Sequence, residues 1–218
     1  MPIPGAESIS AAKRMLRQEV LAAREARPAE DRRRDAARLA EQLPAVLAAS
    51  LGTGWAQRTV AAHVPVGAEP GPADLPDRLR RLGLRVLLPI VARRRPGEPR
   101  PELGWAEYDG TLVAGPMGLR QPAGPGGELR CDAVLAPGVA ADRRGVRLGH
   151  GGAYYDRALA RVSAATPVVV LLYDDELRDV VPAATHDRRV TAVLRPRARL
   201  MDLRGPGWSE YVTMSDDC

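Results

Sequence analysis

A recurring alternation constrains the fold most. Short, strongly apolar runs at residues 60–64, 86–88, 133–136, 168–172 and 190–194 are separated by stretches with helical periodicity. An apolar run of four to eight residues bounded by turn-formers reads as a strand buried on both faces. Strands that alternate with helices argue for a largely parallel sheet covered on both sides. The expected class is α/β, a three-layer α/β/α arrangement around a mostly parallel central sheet. Helices are expected at 74–82, 153–162 and 175–181 between or after the strands. Two more precede them, one at 8–27 ended by Pro28, the other at 30–49 and kinked or divided by Pro44. The 218 residues suffice for one sizeable core. A single domain over residues 1–204 and a C-terminal tail over 205–218 are expected.

Charge and composition narrow the function classes. The formal net charge is +5, and of 32 basic residues 31 are arginine, Lys13 being the one lysine. Such a balance favours an anionic partner, which could be nucleic acid, a membrane surface or a phosphorylated or polycarboxylate small molecule. The apolar run at 168–172 is far shorter than the ~20 residues that span a bilayer, and the first ten residues lack the pattern of a secretory signal. A cytoplasmic location and no membrane association are expected. Two cysteines make no disulfide framework, and three scattered histidines supply no zinc spacing.

The segment at 132–157, DAVLAPGVAADRRGVRLGHGGAYYDR, carries the most chemistry. A strand signal leads into a loop with Gly145, Gly149, Gly151 and Gly152 and then into a helical run. Strand, glycine loop and helix is a layout that cradles phosphate, because glycines let backbone amides approach an anion closely. Arg147 could add a charge-assisted fork, Tyr154 and Tyr155 could stack on a heterocycle, and Asp156 could hold a hard cation. A plain surface turn accounts for the glycines equally well. On the first helix Lys13, Arg17 and Arg24 lie within about 40° of one another and form a cationic stripe; a solvated face is the alternative.

Taken in order, these segments resemble the 5-formyltetrahydrofolate cyclo-ligase family, also called 5,10-methenyltetrahydrofolate synthetases. The strongest block is PGVAADRRGVRLGHGGAYYDRAL. Supporting blocks are KRMLR from Lys13, HVPVGAE ending in Glu69, the pair Leu88 and Pro89, Trp105 with Tyr108, GPMGLRQP, and VVPAATHD. The likeness runs from about residue 12 to 194.

The resemblance implies a fold like that of some sugar-phosphate isomerases and CoA transferases. It also implies ATP- and magnesium-dependent cyclisation of 5-formyltetrahydrofolate to 5,10-methenyltetrahydrofolate, with release of ADP and phosphate. Carried over by position, Lys13, Arg147 and Tyr154 would be catalytic. Lys13 and Arg17, with Arg147, Gly149, His150, Gly151, Gly152, Ala153, Tyr154 and Tyr155, would hold the nucleotide. Val64, Glu69, Trp105, His150 and Tyr154 would contact the folate, and Asp156 and Asp187 the magnesium. The partners implied are reduced folate and ATP, with no nucleic acid, acting on a monomer.

Four positions depart from the family pattern. His63 stands where an aromatic residue is common, Gln121 where an acid precedes proline, Ala141 where Phe is frequent, and Ala153 where glycine usually precedes Tyr-Tyr-Asp. If residue 153 needs positive φ, alanine costs about 1 kcal/mol there. The alternative reading is therefore a non-catalytic or altered-substrate paralogue that binds folate or nucleotide.

Overall fold

A computed structural model describes residues 6–93, 97, 101–183 and 188–204. Three helices come first, α1 (Ala6–Ala26), α2 (Ala29–Glu41) and α3 (Leu43–Leu51). They are followed by β1 (Thr59–Ala61), α4 (Leu75–Arg81), β2 (Arg85–Val91) and β3 (Leu103–Glu107). A two-stranded ribbon pairs β4 (Val113–Ala114) with β5 (Arg120–Gln121). Next come β6 (Ala133–Pro137), β7 (Ala140–Asp142), β8 (Arg147–Leu148), α5 (Tyr154–Leu159) and β9 (Val168–Leu171). The chain ends in β10 (Leu177–Arg178), β11 (Ala192–Arg195) and β12 (Arg199–Asp202).

The central sheet has seven strands in the order β12-β11-β9-β6-β1-β2-β3. The five expected strands β1, β2, β6, β9 and β11 run parallel to their neighbours among themselves. Period-two alternation sorts their side chains onto two faces. Val60, Val86, Leu135, Val169 and Leu194 pack with Leu39, Leu47 and Leu79 from α2, α3 and α4. Ala61, Val134, Val170 and Val193 pack with Ala158 and Leu159 from α5. These faces make the three layers. The first helix, α1, lies elsewhere: its Val20 is buried with Val139 and with Ala140 and Leu148 of a small sheet ordered β10-β7-β8. That arrangement brings α1 to the carboxyl ends of the parallel strands.

The helical expectations hold at the amino-terminal end. Pro28 precedes α2 as an extended residue, and the division of the second stretch falls at Gln42, with Pro44 in the first turn of α3. Proline is tolerated there because the first-turn amides have no intrahelical acceptor.

Three expectations need correction. Residues 175–181 do not form a helix: a single 3₁₀ turn, Asp174–Glu176, leads into β10. The reason is Glu176, whose side chain turns inward, accepts from the Tyr173 amide at 2.9 Å and pairs with Arg24, which closes the turn. The helix expected at 153–162 shortens to α5: Ala153, left-handed at φ 54°, stands before its first turn, and at the other end Arg161 and Val162 bond three residues back, to Ala158 and Leu159, in a tight turn. Both sheet edges, β3 and β12, are antiparallel strands that the apolar runs did not announce. Half-exposed edge strands carry no continuous apolar run, so their sequences, LGWAE and RLMD, read as loop.

Candidate active site

The carboxyl ends of β1, β2 and β6 open into a cleft of about 950 Å³, where ligands of open α/β sheets commonly bind. Three segments build it. The loop after β1 contributes Val64 and Glu69, the glycine loop after β8 contributes residues 149–153, and the turn around Met117 closes the far side. That turn is docked by Gln121, whose Oε1 accepts from the Val91 amide of β2 at 3.0 Å.

The glycine loop is pinned from both sides. From α1, the Arg17 Nε donates to the Gly149 carbonyl at 2.7 Å, and a side chain at residue 151 (φ 94°) would meet the Arg17 guanidinium. From below, Arg147 lies so close that a Cβ on residue 149 would stand 2.9 Å from its Nη1. Gly149 is therefore required by space and Gly151 by conformation. Ala153 ends the loop in the same left-handed region, a conformation that costs a non-glycine residue about 1 kcal/mol. The six-residue α5 that follows is too short to supply more than a weak dipole.

Two buried arginines form the floor at the end of β6. Arg147, its side chain 2% exposed, donates Nη1 to the Pro137 carbonyl at 3.1 Å and pairs through Nη2 with Asp156. Arg24, also 2% exposed, donates to the next carbonyl, Gly138, at 2.6 Å and grips both oxygens of Glu176 at 2.7 and 2.8 Å. The stripe expected on α1 thus divides by role. Arg24 turns into the protein, whereas Lys13 and Arg17 lie towards the helix start, half-buried.

Across the cleft, the Nε2 of His150 stands 3.3 Å from the Oε1 of Glu69, whose other oxygen accepts from the Val66 amide at 2.9 Å. Burial pushes the His150 imidazole below its ordinary value; Glu69 raises it, and Arg24, Arg147 and Arg17 lower it further. His63 is 5% exposed, and its Nδ1 lies 3.3 Å from the Leu135 carbonyl. Burial lowers its affinity for protons too. The Tyr155 hydroxyl is buried, lacks a hydrogen-bond partner, and is held strongly in the phenol form by burial.

Of the residues singled out from sequence, Val64, Glu69, Arg147, Gly149, His150, Gly151, Gly152, Ala153, Tyr154, Tyr155 and Asp156 all line this one cleft. Lys13 and Arg17 are not among the lining residues, although Arg17 touches the loop. Trp105 is not among the lining residues either. It is 4% exposed, sits in the core and meets Tyr155 edge-on with ring centroids 5.9 Å apart, so Tyr155 stands between it and the cleft. Asp187 and His186 lie outside the described residues. Among the described residues no cluster of three or more His, Cys, Asp or Glu side chains is placed to hold a metal, and Asp156 engages Arg147. Sequence reasoning missed the clamp of Glu176 on Arg24, because no local pattern joins residues 152 apart.

Fold and cleft together define a three-layer α/β protein with a cationic, glycine-lined cleft at the carboxyl ends of its parallel strands. The sequence model of the 5-formyltetrahydrofolate cyclo-ligase family matches residues 9–196, and the chain belongs to that family. It is 46% identical over 154 residues to a 5-formyltetrahydrofolate cyclo-ligase of Mycolicibacterium smegmatis, covering 67% of this chain and 78% of that protein. The NMR structure of Aquifex aeolicus 5,10-methenyltetrahydrofolate synthetase superposes with a TM-score of 0.67 at 26% identity, covering 88% of this chain and 93% of that one. A 5,10-methenyltetrahydrofolate synthetase from Mycoplasma pneumoniae shares the fold, with a TM-score of 0.63 at 20% identity over 83% and 96% of the two chains.

Proposed function

We propose that this chain catalyses the ATP-dependent closure of 5-formyltetrahydrofolate to 5,10-methenyltetrahydrofolate. The observation that carries the reading is one cleft in which Val64 and Glu69 face a glycine loop pinned by Arg17 and Arg147. Carried over from the resemblance, the first pair would contact folate and the loop the nucleotide phosphates.

A formamide oxygen is a poor leaving group. Phosphorylation of that oxygen by ATP makes it a good one, after which N10 attacks the formyl carbon and phosphate departs. Such a reaction needs positioning and charge stabilisation rather than an enzyme nucleophile. The loop amides and Arg17 suit the transferring phosphoryl group, with Lys13 one helical turn earlier as a point charge. Arg147 serves differently from a phosphate fork: its side chain is committed to Pro137 and Asp156, so it shapes the loop from beneath. Tyr154 begins α5 on the cleft wall, and the Arg157 guanidinium lies 5.4 Å from its ring centroid.

Magnesium fits as a companion of the nucleotide. Asp156 is one-third exposed on the cleft wall, and a hard ion that keeps phosphate and water ligands needs only one or two carboxylates. When bound there it would neutralise phosphate charge; Asp187 would be the second carboxylate.

The test is absorbance of the methenyl product from 5-formyltetrahydrofolate with ATP and magnesium. Turnover that requires ATP is expected, and its absence in folded protein overturns the reading. A second reading, a binding paralogue without turnover, is motivated by the strained Ala153 and by His63 on the cleft wall. Calorimetry that detects ligand binding without product distinguishes it.

A further inference from the structure

We propose that His150, oriented by Glu69, is the general base that removes the N10 proton during ring closure. The inference rests on the activity proposed above. Ring closure forms the N10–C bond, breaks the C–O bond to the activated formyl oxygen, and leaves N10 with a proton that must go. Phosphate departs with the bonding pair of that C–O bond. The proton taken by the imidazole then passes to the departing phosphate or to water, so the enzyme returns to its starting state.

Position comes first. His150 belongs to the glycine loop, and its Nε2 reaches 3.3 Å towards Glu69 on the loop after β1. It is therefore the residue that joins the nucleotide side of the cleft to the folate side, where the reacting carbon, N10 and the phosphoryl oxygen must meet. Its side chain is 42% exposed within the cleft, so a ligand atom can reach it. With Nε2 towards the carboxylate, the favoured tautomer carries its proton on Nε2 and leaves Nδ1 as the acceptor; the carboxylate then stabilises the imidazolium that forms.

Two other candidate bases on the cleft wall are otherwise engaged. Asp156 pairs with Arg147, and the Nδ1 of His63 is turned to the Leu135 carbonyl with the side chain buried. The Tyr155 hydroxyl is buried, and Glu25 borders the cleft from an exposed position on α1. Burial and the three cations that face His150, Arg17 and Arg24 from α1 and Arg147 from β8, favour a neutral imidazole in the resting site. A general base must start in that state.

The experiment compares steady-state kinetics of the wild type and His150→Gln between pH 5 and 8.5, following methenyl product. Glutamine preserves size and polarity but cannot accept the proton. The expected result is a kcat lower by about 10²-fold, with both KM values within about threefold of wild type. The acid limb of the kcat profile should disappear, and added imidazole should restore part of the rate. In Glu69→Gln the acid limb should persist but move to lower pH, because Glu69 raises the proton affinity of the imidazole.

A kcat within threefold of wild type overturns the proposal, as does an acid limb unchanged in His150→Gln or a loss expressed mainly in KM. Calorimetric ATP affinity of the variant, expected within threefold of wild type, shows that its cleft is formed. A wild type that binds both ligands yet makes no product overturns the activity, and the base falls with it. A wild type that turns over with a silent His150→Gln overturns the base alone.

Discussion

On the outer helices and the sheet edge, arginines meet carboxylates at the surface. Arg34 pairs with Glu30 and Asp31, Arg78 with Asp74, and Arg85 with Glu107, all substantially exposed. At the carboxyl end of β6, Arg24 and Arg147 are almost fully buried, bind the adjacent carbonyls of Gly138 and Pro137, and are neutralised by Glu176 and Asp156. The residue type is the same and the energetics are not. An exposed pair is screened and contributes about 0–1 kcal/mol, whereas removing one partner of a buried pair leaves a charge that cannot be hydrated. Composition reported an arginine excess; only burial separates the arginines that build the site from those that keep the surface wet.

The sharpest way to break this comparison is catalytic. Asp156→Asn and Lys13→Ala should each lower turnover by about tenfold or more, measured as the initial rate of methenyl formation, while Arg34→Ala leaves it unchanged. Equal rates in all three would detach the glycine loop and α1 from catalysis.

Stability supplies the next contrast. Arg24→Met strands the Glu176 carboxylate and should cost about 3–5 kcal/mol in urea unfolding. Arg34→Ala should stay within about 0.5 kcal/mol of wild type. A loss below about 1 kcal/mol for Arg24→Met would mean that the buried pair contributes no more than a surface one.

A smaller effect is expected at Ala153. Glycine adopts φ 54° without strain, so Ala153→Gly should stabilise the protein by up to about 1 kcal/mol while preserving turnover. Destabilisation would show that the loop does not hold that conformation in solution.

The smallest effect is a pH slope. Burial lowers the pKa of His63 below the ordinary 6.5, so as pH falls through 6.5 the unfolded chain takes a proton that the folded chain refuses. Stability from this group is complete above 6.5 and falls as pH drops towards the folded value. Glu176, raised by burial, contributes the opposite slope at lower pH. The difference between wild type and His63→Gln isolates the histidine: the wild type should lose more stability between pH 7 and 5.5. Parallel curves would contradict the burial of His63.

The five parallel strands were legible because both of their faces are buried, which makes each an unbroken apolar run at Val60, Val86, Val134, Val169 and Val193. The edge strands were not, since β12 leaves Arg199 and Asp202 exposed and β3 leaves Glu107 exposed. The glycine loop was legible as one cluster because its residues are contiguous, from Arg147 to Asp156, and the fold turns it towards the cleft. What stayed hidden joins distant residues: Arg24 to Glu176, His150 to Glu69, and Trp105 behind Tyr155. The stripe on α1 illustrates the limit. Helical geometry places Arg17 and Arg24 on one face, but only the fold shows that the first lies over the glycine loop and the second is buried beneath the cleft.

The most direct measurement of the central claim is the stoichiometry of ADP to methenyl product in a single reaction, with 5-formyltetrahydrofolate and ATP supplied to the full chain. The account predicts one ADP for each methenyl group formed and no product when ATP is omitted. ADP release without methenyl formation, or methenyl formation independent of ATP, would contradict it.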